Sequence, residues 1–193
     1  MSNKMLVEVS ARHVHLCAQD LEILFGKGAE LTHRKDLSQP GQYACQERVE
    51  IIGPKGSFKG VSVLGPLRPA TQVEVSLTDA RAMGIFVTIR ESGVLDGSSG
   101  CTIVGPAGTV ELKHGFIAAK RHIHMGPKEA EGFGVKDKQA VGVKISGTGR
   151  SAILGDVVVR VTEGFSAAMH IDTDEAHACG ISGETYGEIV PFE

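Results

Sequence analysis

Two short stretches hold the residues best suited to chemistry. "SARHVHLC" (10–17) sets His13 and His15 two apart behind an arginine, and "AAKRHIHMG" (118–126) repeats the pattern with His122 and His124. Side chains two apart on a strand share a face, so either pair delivers two imidazoles to one spot. A second match joins "VEVSLTDARAMGI" (73–85) to "MHIDTDEAHACGI" (169–181), which share Thr-Asp and Gly-Ile at equal spacing. Eleven residues before Ile85 stands Glu74, and eleven before Ile181 stands His170. The chain is thus an internal duplication. Each half offers an HxH pair and one more metal-capable side chain. One set is His13, His15 and Glu74; the other is His122, His124 and His170. Imidazole and carboxylate suit Zn²⁺, and three protein ligands with an open position are the pattern of a catalytic zinc. If the repeats pack about a pseudo-twofold axis, both ions face one cleft and can hold an attacking and a leaving group together.

The plain alternatives are weaker at these positions. A single HxH is often two hydrogen-bonded histidines, a lone glutamate is usually a surface group, and duplication copies inert residues as readily as active ones. Here the third member changes identity between halves and stays metal-competent. Arg68, in "LGPLRPATQVEV", lies six before Glu74 and precedes a proline, which holds its backbone extended. A fixed guanidinium beside a metal ligand makes a phosphate clamp, although exposed loop arginines are also common. His33 and His114 read as surface or loop residues, while His177, near His170, can line the cleft. Cys17, Cys45, Cys101 and Cys179 form no CxxC pair and read as reduced thiols; Cys17 and Cys45 are candidate nucleophiles, but with no pKa-lowering context in the sequence they read better as core thiols. "GPKGSFKG" and "SGTGRSA" lack the P-loop pattern and read as hairpin turns.

The elements that must position these residues are mostly strands. "MLVEVSA", "ERVEIIG", "FKGVSVLG", "TQVEVSL", "IFVTIRES", "CTIVGPAGTVEL", "AVGVKIS" and "DVVVRVT" are short, rich in Val and Ile, and bounded by Gly, Pro and Ser. Helical signals are brief. "CAQDLEILFG" has Leu21, Leu24 and Phe25 on one face, and "GPKEAEGFG" starts with a proline suited to a first turn. "LTDARAMGI" and "DTDEAHACGI" each offer a Thr or Asp cap and a terminating glycine. "GKGAELTHRKDLSQPGQYACQ" (26–46) reads as a long polar excursion. From His13 to His122 is 109 residues and from Glu74 to His170 is 96, a mismatch that this excursion accounts for. The expected fold is mostly β: two β-barrels from the duplication, with short capping helices.

The 193 residues suit one large domain or two small ones. The formal net charge of −3 gives no basic surface for nucleic acid. No apolar run reaches membrane-spanning length and no signal peptide precedes the first strand.

The motifs "VSARHVHL", "LSQPGQYACQERVEIIGPKG", "VLGPLRPATQVEVSLTDARAMGI", "KRHIHM", "GRSAILGDVVVRV" and "MHIDTDEAHACGI" together resemble the PduL-type phosphotransacylases (phosphate propanoyltransferases), in the right order and over nearly the whole chain. The resemblance implies reversible exchange of phosphate and coenzyme A on a short acyl group. It implies two barrels, one from residues 2–11 with 120–190 and one from 12–119 that includes the excursion 26–46. It implies a dinuclear zinc site, two ions per chain, on His13, His15 and Glu74 and on His122, His124 and His170. Arg68 then binds phosphate, and Lys35 is the best candidate for contacting CoA. His177 stands where the family commonly has Asn, so its CoA contact is less firmly implied. Homodimers or larger assemblies are expected. Relatives within bacterial microcompartments carry an N-terminal amphipathic extension. Only "MSNK" precedes the first strand here, which points to a free cytoplasmic form or a trimmed microcompartment form.

Two other classes compete. A duplicated cupin-like metalloenzyme, an isomerase or dioxygenase, also places HxH on a strand, but with its glutamate a few residues on. Here Glu22 falls in a helical stretch and Glu129 follows Pro127. A non-catalytic metal-binding module would not need the phosphate-competent arginine.

Overall fold

A computed structural model describes residues 4–191. The first repeat runs through β1 (Lys4–Ser10), β2 (His13–His15), α1 (Ala18–Phe25), β3 (His33–Asp36), β4 (Tyr43–Ile52), β5 (Ser57–Gly65), β6 (Gln72–Glu74), α2 (Leu77–Met83), β7 (Ile89–Arg90) and β8 (Ser99–Val104). The second runs through β9 (Thr109–Ala119), β10 (His122–Met125), α3 (Pro127–Phe133), β11 (Ala140–Ile145), β12 (Ala152–Val161), β13 (Ala168–Asp172), α4 (Thr173–Ala178) and β14 (Thr185–Val190).

These strands close into two six-membered barrels, the mostly-β architecture expected from the sequence. One has the order β1-β13-β10-β12-β11-β14. The other runs β4-β5-β2-β6-β9-β8 and returns to β4, with β3 and β7 as short additions. The pairings correspond strand for strand. In each barrel the HxH strand lies parallel to one neighbour, β5 or β12, and antiparallel to the other, β6 or β13. The repeats exchange one strand. β1 precedes the first HxH but joins the barrel of the second, and β9 precedes the second but joins the barrel of the first. That exchange makes one compact unit discontinuous: it holds residues 4–10, 38–40 and 120–191, and the other holds 11–37 and 41–119. The polar excursion is therefore divided, with Ser38–Pro40 in the unit that carries His122, His124 and His170.

Alternation along the strands fills each core. Val14, between the first histidines, packs with Leu16, Val63, Val73, Ile103 and Phe116. Ile123, between the second pair, packs with Met5, Val7, Val143, Val159 and Met169. Burying one face of the HxH strand this way turns both imidazoles to the opposite face.

Each helix seats apolar residues in a barrel core. α1 seats Leu21 and Leu24 in its core, as its periodicity predicts. α2 is capped by Ser76, whose Oγ accepts from the Asp79 amide at 3.2 Å, so the cap stands two residues ahead of the expected threonine. Asp172 caps α4 and Glu175 bonds back to its amide, a capping box. "IFVTIRES" is the clearest departure from expectation. Only Ile89–Arg90 pairs, alongside β9, and Phe86 is 80% exposed. Its β-branched content reads as a strand, but the neighbouring barrel is already closed without it.

Candidate active site

The duplication brings the third member of each set directly opposite the first histidine. His13 pairs with Glu74 across β2 and β6, and His122 pairs with His170 across β10 and β13. Directly opposed residues on antiparallel strands point to the same face. Equivalence counted from the isoleucines is thus equivalence in register.

In the first set His13, His15 and Glu74 are all buried, and their donor atoms lie within 4.8 Å of one another. His13 Nε2 is 3.5 Å from Glu74 Oε2, and His15 Nε2 is 3.9 Å from Oε1. A tetrahedral zinc with arms of about 2.0–2.1 Å has edges of about 3.4 Å, which the His13–Glu74 distance matches, and the wider spacing of the set as a whole leaves room for such an ion. His13 Nδ1 donates to the Ala11 carbonyl at 2.8 Å and His15 Nδ1 to that of Leu64 at 3.2 Å. Each bond fixes the tautomer and leaves the Nε2 lone pair turned to the set. Burial, with His13 and Arg68 nearby, lowers the His15 pKa to about 3. Burial pushes Glu74 the other way, but His13, His15, the Ser92 hydrogen bond and Arg68 outweigh it and hold the carboxyl near 2. At neutral pH this gives a neutral imidazole in His15 and an ionised carboxylate, the protonation states a cation needs.

The second set packs its rings closely. The His122–His124, His122–His170 and His124–His170 centroids are 4.8, 5.2 and 5.3 Å apart. Its nitrogens are drawn together less tightly: among the described residues only the first set has all its donor atoms within 4.8 Å. His122 Nδ1 donates to the Lys120 carbonyl at 2.8 Å, the same device as in His13. Burial, Arg160 and His170 keep His122 neutral, its pKa well below the usual value. Glu8 Oε2 lies 3.7 Å from His170 Nδ1. Gln39, 2% exposed, directs its amide nitrogen to the Ser166 carbonyl at 3.3 Å and toward His170 Nε2 at 3.5 Å.

The arginine ahead of each HxH is a strut. Arg12 donates to both oxygens of Asp79 at 2.7 and 2.9 Å and lies 4.1 Å over the Phe58 ring. Arg121 donates to Glu175 at 3.1 Å. Each ties the HxH strand to the small helix that follows the third member of its set.

Arg68 stands at the first set, with Nη1 3.9 Å from Glu74 Oε1. Sequence reasoning missed a residue beside each set: Ser92 at the first and Arg160 at the second. The Ser92 hydroxyl contacts Arg68, Gln72 and Glu74 at 2.8–2.9 Å. Arg160 lies beside His124 on β12. The duplication gave no signal for Ser92, which sits in the turn after β7, outside the matched stretches. Lys35 is exposed on β3 and His177 is exposed in α4, and neither belongs to the packed rings of either set. His33 and His114 are exposed, as expected. The cupin-like carboxylates are occupied elsewhere. Glu22 accepts from the Gly28 amide, and Glu129 accepts from the Gly126 and Ala167 amides.

The family model described as phosphate propanoyltransferase matches residues 6–182. The chain belongs to the phosphate propanoyltransferase family. A phosphate propanoyltransferase of Clostridioides difficile is 54% identical over 184 residues, covering 95% of this chain and 88% of that protein. Those of Enterococcus faecalis and Thermotoga maritima are 50% and 51% identical over 188 residues, covering 97% of this chain and 89% and 90% of theirs. As a phosphate propanoyltransferase family member, the chain shows no helix among its described residues that is long and apolar enough to cross a membrane.

Proposed function

We propose that this chain is a phosphate acyltransferase that interconverts a short-chain acyl-CoA plus phosphate with acyl phosphate plus CoA. Two divalent cations would be held, one by His13, His15 and Glu74 and one by His122, His124 and His170, with zinc suited to both donor sets. The observation that carries this reading is the matched register of Glu74 on His13 and His170 on His122, in a chain of this family. When bound, such cations supply Lewis acidity, polarising a thioester carbonyl and stabilising a thiolate without a proton.

The chain's own residues do the remaining work. Arg68 presents a permanently charged, planar fork to phosphate and offsets its charge as it approaches the thioester. A phosphate oxygen bonds to the acyl carbon, the carbon–sulfur bond breaks, and the CoA sulfur leaves with the electron pair. No side chain needs to carry the acyl group. Burial raises the thiols of Cys45 to about 11 and of Cys101 to about 12, and pushes Cys179 up as well, so none of the three is an activated nucleophile. Lys35 and His177 are the proposed contacts for CoA, both exposed as a reversibly bound carrier requires.

The test is acyl-CoA/phosphate exchange with acetyl- and propanoyl-CoA, alongside acid quenching with labelled acyl-CoA. Direct transfer gives sequential kinetics and unlabelled denatured protein. Ping-pong kinetics or label retained on the protein refutes it.

A further inference from the structure

Ser92 sits where the proposed metal ligand and the proposed phosphate clamp meet. Its Oγ is 2.8 Å from Glu74 Oε1, 2.9 Å from Arg68 Nη1 and 2.8 Å from Gln72 Nε2. A serine hydroxyl has one hydrogen to give and two lone pairs to receive with. Guanidinium and amide nitrogens can only donate, so they take the two lone pairs, and the single O–H goes to Glu74. The hydroxyl is saturated and its orientation is determined.

Gln72 completes the arrangement. Its carbonyl oxygen accepts from the Gly93 amide at 2.8 Å, which fixes which end of the side-chain amide is nitrogen. That nitrogen donates to Glu74 Oε1 as well as to Ser92. Oε1 therefore receives two hydrogen bonds and stands 3.9 Å from both His15 Nε2 and Arg68 Nη1, while Oε2 makes the closer approach to the histidines, 3.5 Å from His13 Nε2. The two oxygens of one carboxylate have been given different tasks.

We propose that Ser92 is a positioning residue: it reserves Glu74 Oε1, so the carboxylate can ligate only through Oε2, and it registers Arg68 against that carboxylate. The proposal rests on the reading that His13, His15 and Glu74 hold a divalent cation. A carboxylate with both oxygens available chelates and fills an extra coordination position. With Oε1 reserved, that position stays open to substrate, which a catalytic site requires. The same hydroxyl sets the offset between the open position and Arg68, and that offset selects a bound anion of phosphate size.

Cobalt substitution tests this without relying on turnover, because the visible bands of Co²⁺ are strong in four-coordinate sites and weak at higher coordination. The full chain is loaded with Co²⁺ as wild type, Ser92→Ala, Ser92→Cys and Ser92→Thr. Ser92→Ala and the weakly donating Ser92→Cys should bind as much cobalt as wild type but with clearly weaker bands, as Glu74 turns bidentate. Ser92→Thr, which keeps the hydroxyl, should restore the wild-type spectrum. In exchange assays Ser92→Ala should raise the phosphate KM by about 10- to 100-fold, the usual range for groups that orient a metal ligand, and raise the acyl-CoA KM much less. Unchanged bands at full cobalt occupancy in both Ser92→Ala and Ser92→Cys overturn the proposal. Wild-type protein that binds no cobalt overturns the metal reading beneath it, and so the two failures are distinguishable.

Discussion

Replacing Arg12 with methionine tests whether the arginine before each HxH is a structural strut. Its partner Asp79 is nearly buried, with 8% of the side chain exposed, while 37% of the Arg12 side chain reaches solvent. Breaking a fully buried ion pair costs about 3–5 kcal/mol because a charge is left stranded, whereas exposed pairs are worth about 0–1 kcal/mol. One buried partner and two charge-assisted hydrogen bonds place this pair between those limits, at about 2–3 kcal/mol. Losing the cation over Phe58 adds about 0.5–1 kcal/mol. The total of about 3 kcal/mol corresponds to a Tm decrease of about 6–12 °C for a chain of this size. Asp79→Asn removes the stranded charge, so the double variant should recover part of the loss, with a coupling of about 2 kcal/mol between the sites. Thermal and denaturant unfolding of the four proteins measures it. A loss under about 0.5 kcal/mol for Arg12→Met, with additive effects, would refute the strut and make the pair an ordinary surface contact.

Other expectations follow from the same contacts. Arg68→Ala should lower kcat/KM for phosphate by about 100-fold, as for loss of one charge-stabilising donor, with metal content unchanged by elemental analysis. Chelator-treated protein should lose stability as pH falls below about 6.5. His15 in the folded chain takes its proton only near pH 3, whereas an unfolded histidine takes it near 6.5, so the unfolded chain binds protons first. This contribution is complete above 6.5 and is progressively lost toward 3; denaturant titrations that gain stability on acidification across that range would contradict it. Cys45, Cys101 and Cys179 should resist alkylation in the folded protein and react once it is unfolded, as mass spectrometry of iodoacetamide-treated samples would show.

The placement of the two candidate sets was legible wherever it obeyed a period. HxH reads directly because strand side chains alternate, and Glu74 and His170 emerged because duplication preserved their distance from a common Gly-Ile. The mismatch between halves also falls where the polar stretch suggested: 26–42 lies between α1 and β4, against 134–139 between α3 and β11. What stayed hidden was non-local. No residue of "KMLVEVS" by itself says that β1 pairs with β13 and β14 and not with its own repeat; only the family resemblance implied it, because the choice is made by long-range closure of the barrels. Ser92 is a lone serine in a turn, with no repeat partner and no periodic context. Arg12 and Arg121 were visible as a recurring letter, but Asp79 and Glu175 occupy non-equivalent positions in their helices, so spacing could not pair them. The strand expected over "IFVTIRES" failed because β propensity describes a surface ready to pair, not an available edge.

Counting metal ions per chain tests the central claim most directly. Elemental analysis of the wild-type protein should give two divalent ions. Glu74→Gln and His170→Ala should each give one, with exchange activity lost in both and folding retained by circular dichroism. A single ion in the wild type, or two ions in either variant, would contradict the assignment of one cation to each half of the duplication.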